Sequence, residues 1–161
     1  MTAPYLLTSS TVVPASPDVA FQGILDAPLE QLFPARSGPI PPVARCDGQD
    51  GPWGVSVGQT RTVVLGDGGT NLETLVAADR PGDYRYRLSE FTGPMKGLVA
   101  GVDGRFSFVP EGPGTRVTWS WELHATNPVS RVLLPVLGFF WRRYAAAMWP
   151  RYAARLASGA A

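Results

Sequence analysis

A chain of 161 residues, of which 45% are hydrophobic and 17% charged, is long enough to bury a substantial core and too apolar for a disordered protein. The formal net charge of +1 gives no reason to expect nucleic acid as a partner, and the single cysteine, Cys46, excludes an intrachain disulfide and a cysteine-based metal cluster. We therefore expect one globular domain over residues 1–161.

The N-terminal residues contain neither a basic segment nor a long apolar stretch, so we expect no signal peptide. The longest apolar run, residues 132–141, has ten residues and is too short to span a bilayer. These features predict a cytoplasmic protein without integral membrane association. They leave open whether it is a monomer or a homodimer.

The first elements predicted along the chain are one strand and two short helices. Residues Tyr5–Val13 are rich in β-branched side chains and lack glycine and proline, which is typical of a strand. Ser16 followed by Pro17 favours a helix start, and the apolar pattern that follows breaks at residues 26–28. A second short helix is expected over residues 29–33.

Residues 34–58 are the least regular part of the chain, because proline and glycine recur throughout them. We predict an extended loop here. Loops of this length in a compact domain are often functional. Trp53 within it is therefore either a packed anchor or part of a mobile lid, and we favour the anchor.

The middle of the chain alternates strands and tight turns. Turns rich in glycine, aspartate and proline separate stretches of strand-forming residues. Strands joined by such short turns are antiparallel neighbours. The predicted strands cover residues 59–65, 70–78, 84–91, 98–109 and 115–125.

The C-terminal segment Pro128–Ala157 predicts one long helix, because its apolar residues recur at spacings of three and four. Its arginines are expected to point largely to solvent. The order of elements predicts the α+β class, with one face of a curved antiparallel sheet packed on this helix. The predicted apolar face of the helix comprises Leu133, Val136, Leu137, Phe140, Tyr144, Ala147, Met148 and Tyr152.

Period-two alternation places Trp119 and Trp121 on the same face of the last strand. We expect both tryptophans to face Phe140 and Tyr144 of the helix. There they either fill a plain core or form the wall of a pocket that suits aromatic ligands.

The strand over residues 84–91 also has two distinct faces. A buried glutamate on its inner face would need a charged partner such as Arg61. We favour as the inner face the one that carries Tyr84, Tyr86, Leu88 and Glu90.

Several short motifs occur in a fixed order over nearly the whole chain. They are Pro17-Asp18-Val19-Ala20-Phe21, Trp53 before Gly58 and Arg61, Asp67-Gly68 before Glu73, Tyr84-Arg85-Tyr86, and Gly114-Thr115-Arg116-Val117-Thr118-Trp119. With this layout the chain resembles the START/Bet v 1-like (SRPBCC) superfamily, and within it the polyketide cyclase/dehydrase and lipid-transport group.

The resemblance implies the helix-grip fold, in which a curved antiparallel sheet wraps around the C-terminal helix and two short helices follow the first strand. It also implies a deep apolar cavity for a hydrophobic small molecule. The group's cyclases are thought to position a polyketide and polarise its carbonyls without a metal or bound cofactor. We accordingly expect no cofactor.

The side chains expected to reach such a cavity come from the sheet and the long helix. The polar candidates, which include Arg87, alternatively form ordinary cross-strand pairs on the surface. No intact catalytic set aligns with the family's cyclases, so no catalytic residue is assigned. The predicted ligand-binding residues are Trp119, Trp121, Tyr86, Phe140, Tyr144, Met148, Arg61, Glu73 and Glu90.

Covalent and metal-dependent chemistry have little support in the sequence. His124 is the only histidine, and alternation places it opposite the two tryptophans, away from the expected cavity. Because His124 and Cys46 are the only strong nitrogen and sulfur ligands, we predict no metal site.

Three functions remain open at the level of the sequence. The first is binding of a hydrophobic small molecule, namely a lipid, a polyketide or an aromatic compound. The second is a cyclase or dehydratase, which requires at least two donor or titratable groups in the pocket. The third is a membrane-surface or partner-binding module that uses the basic, aromatic residues 139–155 of the helix.

Overall fold

The computed structural model describes residues 3–159. Its helices are α1 (Pro17–Asp26), α2 (Leu29–Leu32) and α3 (Pro128–Ala157), and one 3₁₀ turn covers Pro94–Gly97. Its strands are β1 (Tyr5–Val13), β2 (Val43–Asp47), β3 (Thr60–Leu65), β4 (Thr70–Asp79), β5 (Asp83–Ser89), β6 (Val99–Glu111) and β7 (Gly114–Ala125).

All seven strands in the described residues form one curved antiparallel sheet, in the order β1-β7-β6-β5-β4-β3-β2. From β2 to β7 each strand pairs with the next one in the chain, as sequential strands commonly do. The exception is β1, which pairs with β7 along its whole length, from Tyr5 opposite Leu123 to Val13 opposite Thr115. The predicted helix-grip architecture is confirmed.

Helix α3 begins at a capping box and lies on the inner face of the sheet. Asn127 Oδ1 accepts the backbone N–H of Ser130 at 2.8 Å, and Ser130 Oγ accepts the backbone N–H of Asn127 at 3.0 Å. The predicted bounds of this helix agree with the structure. Its buried side chains include Leu134, Leu137, Trp141, Tyr144, Ala145, Met148, Trp149 and Tyr152.

The predicted apolar face of α3 is partly wrong. Leu133 and Val136 are 47% and 55% exposed, and Ala147 is also exposed, whereas Trp141 is fully buried. Nearly all residues over 132–141 are apolar, so spacing alone does not determine which side of the helix faces the sheet. Packing against β1 and β7 decides it, and the buried stripe is rotated by about one residue.

Strand β2 lies inside the segment predicted to be an extended loop. It is a short edge strand that pairs only with β3, and its register shifts between Val43 and Arg45. Its side chains show no alternation of burial, since Ala44 and Arg45 are both exposed. Hydrogen bonds to β3 therefore define this strand, which the local sequence pattern does not predict.

Candidate ligand cavity

A cavity of about 90 Å³ lies between the inner face of the sheet and the three helices. Ligand pockets for drug-sized molecules measure about 300–1,000 Å³, so in this conformation the cavity is too small for a ligand of that size. The wall is mostly apolar and aromatic. The lining residues are Ile24, Leu29, Leu32, Phe33, Ile40, Val43, Arg61, Val63, Leu65, Asn71, Glu73, Tyr84, Tyr86, Leu88, Phe106, Trp119, Trp121 and Tyr144.

Stacked aromatic rings form two sides of the cavity. Phe33 stacks on Tyr144 with 4.7 Å between ring centroids, and Phe106 stacks on Trp119 at 5.5 Å. Trp141 of α3 packs against Trp119 at 4.8 Å. Because each such pair adds about 0.5–1.5 kcal/mol beyond burial of area, these rings hold the shape of the wall.

Tyr86 is the centre of a hydrogen-bonded group on the inner face. Its hydroxyl oxygen accepts the Nε1–H of Trp119 and the Nε1–H of Trp121, both at 2.8 Å. Burial raises the pKa of Tyr86, and the nearby Glu73 carboxylate adds to this shift. The phenol is therefore protonated at neutral pH.

Arg61 and Glu73 face each other across β3 and β4 and form a buried ion pair. Arg61 Nη2 and Nε lie 2.6 Å and 2.7 Å from Glu73 Oε2, and the two side chains are only 7% and 5% exposed. No described residue donates a hydrogen bond to Glu73 Oε1. Burial raises the pKa of Glu73, and the Arg61 guanidinium partly offsets this effect.

Trp53 is a packed anchor, as predicted. It is 4% exposed, and its Nε1–H donates to the hydroxyl of Tyr84 at 2.7 Å. The guanidinium carbon of Arg61 lies 4.1 Å from the centroid of its ring. Arg61 Nη1 also donates to Gln49 Oε1 at 3.2 Å. These contacts fix the loop before β3 to the wall of the cavity.

Asn71 contributes a buried amide without a protein partner. It is 5% exposed and lines the cavity, and its Oδ1 accepts no hydrogen bond from any described residue. Most buried polar atoms in proteins are bonded to protein or to ordered water. Asn71 Oδ1 is therefore a buried acceptor beside the cavity that lacks a described partner.

An outer pocket of about 420 Å³ adjoins the cavity. It reaches the surface beside the exposed residues Glu30 and Pro52. Leu29 and Arg61 line both compartments and so stand between them.

Six of the nine predicted ligand-binding residues line the cavity. Both tryptophans of β7 and the Tyr86 face of β5 point inward, as alternation predicted. The binding role of these residues stays a prediction. The six are Arg61, Glu73, Tyr86, Trp119, Trp121 and Tyr144.

The other three predicted residues lie outside the cavity. Met148 is fully buried in the packed core, and Phe140 is half-buried against Gly38. Glu90 is exposed and has a φ of 53°, which interrupts the alternation of β5 and buries Phe91 instead. Contrary to expectation, Glu90 therefore does not lie on the inner face, and the condition under which it would need Arg61 as a partner is not met.

The outer face of the sheet carries the remaining polar candidates. Arg87 Nε donates to Asp103 Oδ1 at 2.8 Å, and His124 Nε2 lies 2.8 Å from Asp103 Oδ2. Arg87, Asp103 and His124 thus form a cross-strand cluster on the surface, which agrees with the alternative expectation that Arg87 makes an ordinary surface pair. Cys46 is half-buried beside the outer pocket, where burial raises the pKa of its thiol to about 11.

Several lining residues were not among the candidates from the sequence. Asn71 precedes Glu73 by two residues in β4, so period-two alternation would have placed it on the same face. Tyr84 shares its face with Tyr86 for the same reason. Ile24 lies in α1, and Phe33 directly follows α2. No local pattern distinguishes a lining residue there from a core residue.

Among residues 3–159, no three His, Cys, Asp or Glu side chains lie close enough together to hold a metal ion. Over the same range, we find no helix with the length and apolar character needed to cross a membrane. The longest helix, α3, contains five arginines among its thirty residues.

Comparison with known proteins supports the fold. The family model for "Polyketide cyclase / dehydrase and lipid transport" matches residues 6–157. No curated protein matches the chain. The crystal structure of Ara h 8.0201 is 17% identical with a TM-score of 0.69, and the alignment covers 96% of this chain and 98% of that one.

Two further solved structures show the same architecture at low identity. A START superfamily protein from Mycobacterium smegmatis is 14% identical with a TM-score of 0.67, over 95% of this chain and 97% of that one. The major latex-like protein 151 of Panax ginseng is 17% identical with a TM-score of 0.65, over 96% and 98% of the two chains. The curved sheet and the long C-terminal helix are the fold that these START and Bet v 1-like structures share. The family match over nearly the whole sequence shows that the chain belongs to the polyketide cyclase/dehydrase and lipid-transport family.

Proposed function

We propose that this protein binds a small hydrophobic molecule that contains a ring, in the cavity between the sheet and α3. The observation that carries the proposal is an aromatic-walled cavity whose lining includes the buried residue Asn71, the Oδ1 of which has no described hydrogen-bond partner. Of the ligand classes expected from the sequence, an aromatic compound or the cyclic part of a polyketide suits the flat stacked walls better than a linear lipid chain.

Binding would rest on burial of the ring and on a few polar contacts. The apolar area removed from water contributes about 25 cal/mol per Å². A ligand larger than one ring would also occupy the outer pocket, after Leu29 and Arg61 move apart. The size of the ligand therefore depends on whether these two side chains keep the compartments separate.

Titration of the intrinsic tryptophan fluorescence with isopropylbenzene and naphthalene tests the proposal, because Trp119 and Trp121 line the cavity. We expect saturable binding of at least one of these probes. Val63→Phe places a large side chain in the cavity and should abolish binding. Val64→Phe, on the opposite face of the same strand, is the matched control and should bind as the natural protein does. Absence of saturable binding to the natural protein would refute the proposal.

A second candidate function is acid–base chemistry on a carbonyl ligand, as in a cyclase or dehydratase. The inward position of Glu73 favours this function. Burial raises the pKa of Glu73, and no described residue donates a hydrogen bond to its Oε1. Such a carboxylate could remove a proton next to a carbonyl group. Deuterium incorporation into a β-keto thioester in D₂O would then be faster with the natural protein than with Glu73→Gln. Equal rates would exclude this role for Glu73.

A third candidate is contact of α3 with an anionic membrane surface. The N-terminal half of the helix exposes apolar side chains, among them Val132 at 76% and Phe139 at 54%, and no acidic residue occurs in the helix. A surface that combines apolar side chains with arginines suits anionic lipid headgroups. We expect Val132→Ser/Phe139→Ser to reduce co-sedimentation with phosphatidylserine vesicles. If the natural protein does not co-sediment, this candidate is removed.

A further inference from the structure

The hydroxyl group of Tyr86 can donate one hydrogen bond beyond the two that it accepts. An indole N–H can only donate a hydrogen bond, so the contacts with Trp119 and Trp121 require the Tyr86 oxygen to accept both. A phenol hydroxyl also carries one hydrogen to donate. No described residue accepts a hydrogen bond from it. The two indoles therefore fix this hydroxyl as a donor towards the cavity that it lines.

The position of this donor is fixed by close packing around the ring. Tyr86 lies over Gly104 of β6, where a Cβ would come within 2.1 Å of the Tyr86 Cζ atom. The rings of Tyr84 and Phe106 lie beside it, with centroid distances of 5.5 Å and 6.4 Å. A donor held in this way needs no reorganisation when a ligand arrives.

The charges near this donor disfavour an anionic ligand. Arg61 is the only cationic side chain among the described lining residues, and its Nε and Nη2 already contact Glu73. The pair is close to neutral as a unit. A ligand carboxylate would therefore have to displace Glu73 from Arg61 or remain without a cationic partner in a mostly apolar wall, and both are costly.

Tyr84 is the nearest group that could take the same role. Its hydroxyl accepts one hydrogen bond, from Trp53, and so retains a lone pair as well as its hydrogen. The Tyr84 hydroxyl can therefore either donate to a ligand or accept from it, whereas the Tyr86 oxygen already accepts from two indoles and its hydroxyl can only donate.

Building on the proposed ligand-binding function, we propose that Tyr86 donates a hydrogen bond to the carbonyl oxygen of a neutral ring ketone, and that Trp119 and Trp121 impose this polarity. Tyr86 thereby selects ligands that carry a carbonyl group over hydrocarbons of the same shape. An apolar ligand would leave the hydroxyl hydrogen unpaired in a buried site, which lowers its affinity.

Three probes with the same number of non-hydrogen atoms and nearly the same shape test this selectivity: acetophenone, isopropylbenzene and benzoate. We expect the natural protein to bind acetophenone about tenfold more tightly than isopropylbenzene, the usual effect of one buried hydrogen bond. Benzoate should bind more weakly than acetophenone. Binding of isopropylbenzene alone would support the proposed function and overturn the role of Tyr86. Tightest binding of benzoate would also overturn it, because Arg61 would then be the polar contact.

Tyr86→Phe should remove the preference for acetophenone and keep the affinity for isopropylbenzene. Tyr152→Phe is the control, since it also removes a buried phenol hydroxyl but lies outside the cavity, and it should keep the preference. Tyr84→Phe tests the competing hydroxyl. If Tyr84→Phe rather than Tyr86→Phe abolishes the preference, the assignment is wrong.

Infrared spectroscopy of carbonyl-labelled acetophenone bound to the natural protein gives a test that needs no variant. We expect the carbonyl stretching band at a lower wavenumber than in cyclohexane, because a donated hydrogen bond weakens the C=O bond. A band at the cyclohexane position would overturn the proposal even if Tyr86→Phe fails to fold.

Discussion

At Glu90 the backbone enters the left-handed region, with a φ of 53° that no other described non-glycine residue approaches. This conformation ends the alternation of β5, so Glu90 points to solvent and Phe91 enters the core. A residue with a Cβ is strained there. The positive φ thus explains why Glu90 does not lie on the predicted inner face. It also lowers the stability of the folded state.

We expect Glu90→Gly to stabilise the protein by about 0.5–1 kcal/mol, because glycine adopts positive φ without strain although it gains entropy in the unfolded chain. Urea denaturation measures the difference. Glu122→Gly, at an exposed position in the extended strand β7, is the control and should destabilise the protein. Equal destabilisation by both variants would contradict the assigned strain.

Two buried tryptophans differ in whether their indole N–H has a partner. Trp119 donates to Tyr86, whereas Nε1 of Trp141 has no acceptor among the described residues. Both Trp141→Phe and Trp119→Phe remove ring volume. Trp141→Phe also removes an unpaired donor, whereas Trp119→Phe also removes an existing hydrogen bond. We expect Trp119→Phe to cost about 1–3 kcal/mol more in free energy of unfolding than Trp141→Phe. The reverse order would show that Trp141 has a partner.

At the scale of elements, strand β6 controls the position of the opposite strand through Gly104. The Cβ of alanine at Gly104 would lie 2.1–2.6 Å from three atoms of the Tyr86 ring, while that of alanine at Gly101 in the same strand would meet its nearest atom at 3.5 Å. We expect Gly104→Ala to cost about 1–3 kcal/mol and to weaken ligand binding, and Gly101→Ala to change both much less. Urea denaturation and a fluorescence titration measure the two effects. Equal losses in both variants would refute this close approach.

Helix α3 combines two surfaces that the sequence does not distinguish. Its buried stripe, which includes Trp141 and Tyr144, packs on the sheet and contributes Tyr144 to the cavity. Its exposed N-terminal side is also apolar, with Val132 and Phe139 at the surface. The helix is therefore apolar on two sides over this half, and only contact with the sheet reveals which side is the core.

At the scale of the whole molecule, four buried tyrosines make stability depend on pH in the alkaline range. Burial raises the pKa values of Tyr84, Tyr86, Tyr144 and Tyr152 above the ordinary value of 10. The folded state therefore holds these protons more tightly than the unfolded state does. Their contribution to stability is complete below pH 10 and is lost as the pH rises towards the folded-state values.

We expect the phenolate absorbance of these four tyrosines to appear together with loss of the circular dichroism signal above about pH 10. The two signals recorded in one alkaline titration provide the measurement. Ionisation of the four side chains while the circular dichroism signal is unchanged would contradict their burial.

The sequence by itself determined the order and type of most elements. The bounds Tyr5–Val13 and Pro128–Ala157 follow from local signals: β-branched residues before Pro14 in the first case, and Asn127 before Pro128 in the second. The inward position of Trp119 and Trp121 follows from period-two alternation. Such features depend on neighbours along the chain, so one sequence is sufficient to predict them.

Only the tertiary structure decided the site itself. The pairing of Arg61 with Glu73, the polarity of the Tyr86 hydroxyl and the orientation of α3 depend on residues far apart in sequence. Packing and hydrogen bonding across strands select among side-chain arrangements that local patterns leave equally favourable. The cavity is the space that remains after those long-range contacts form, and for that physical reason its size and polar lining could not be read from the sequence.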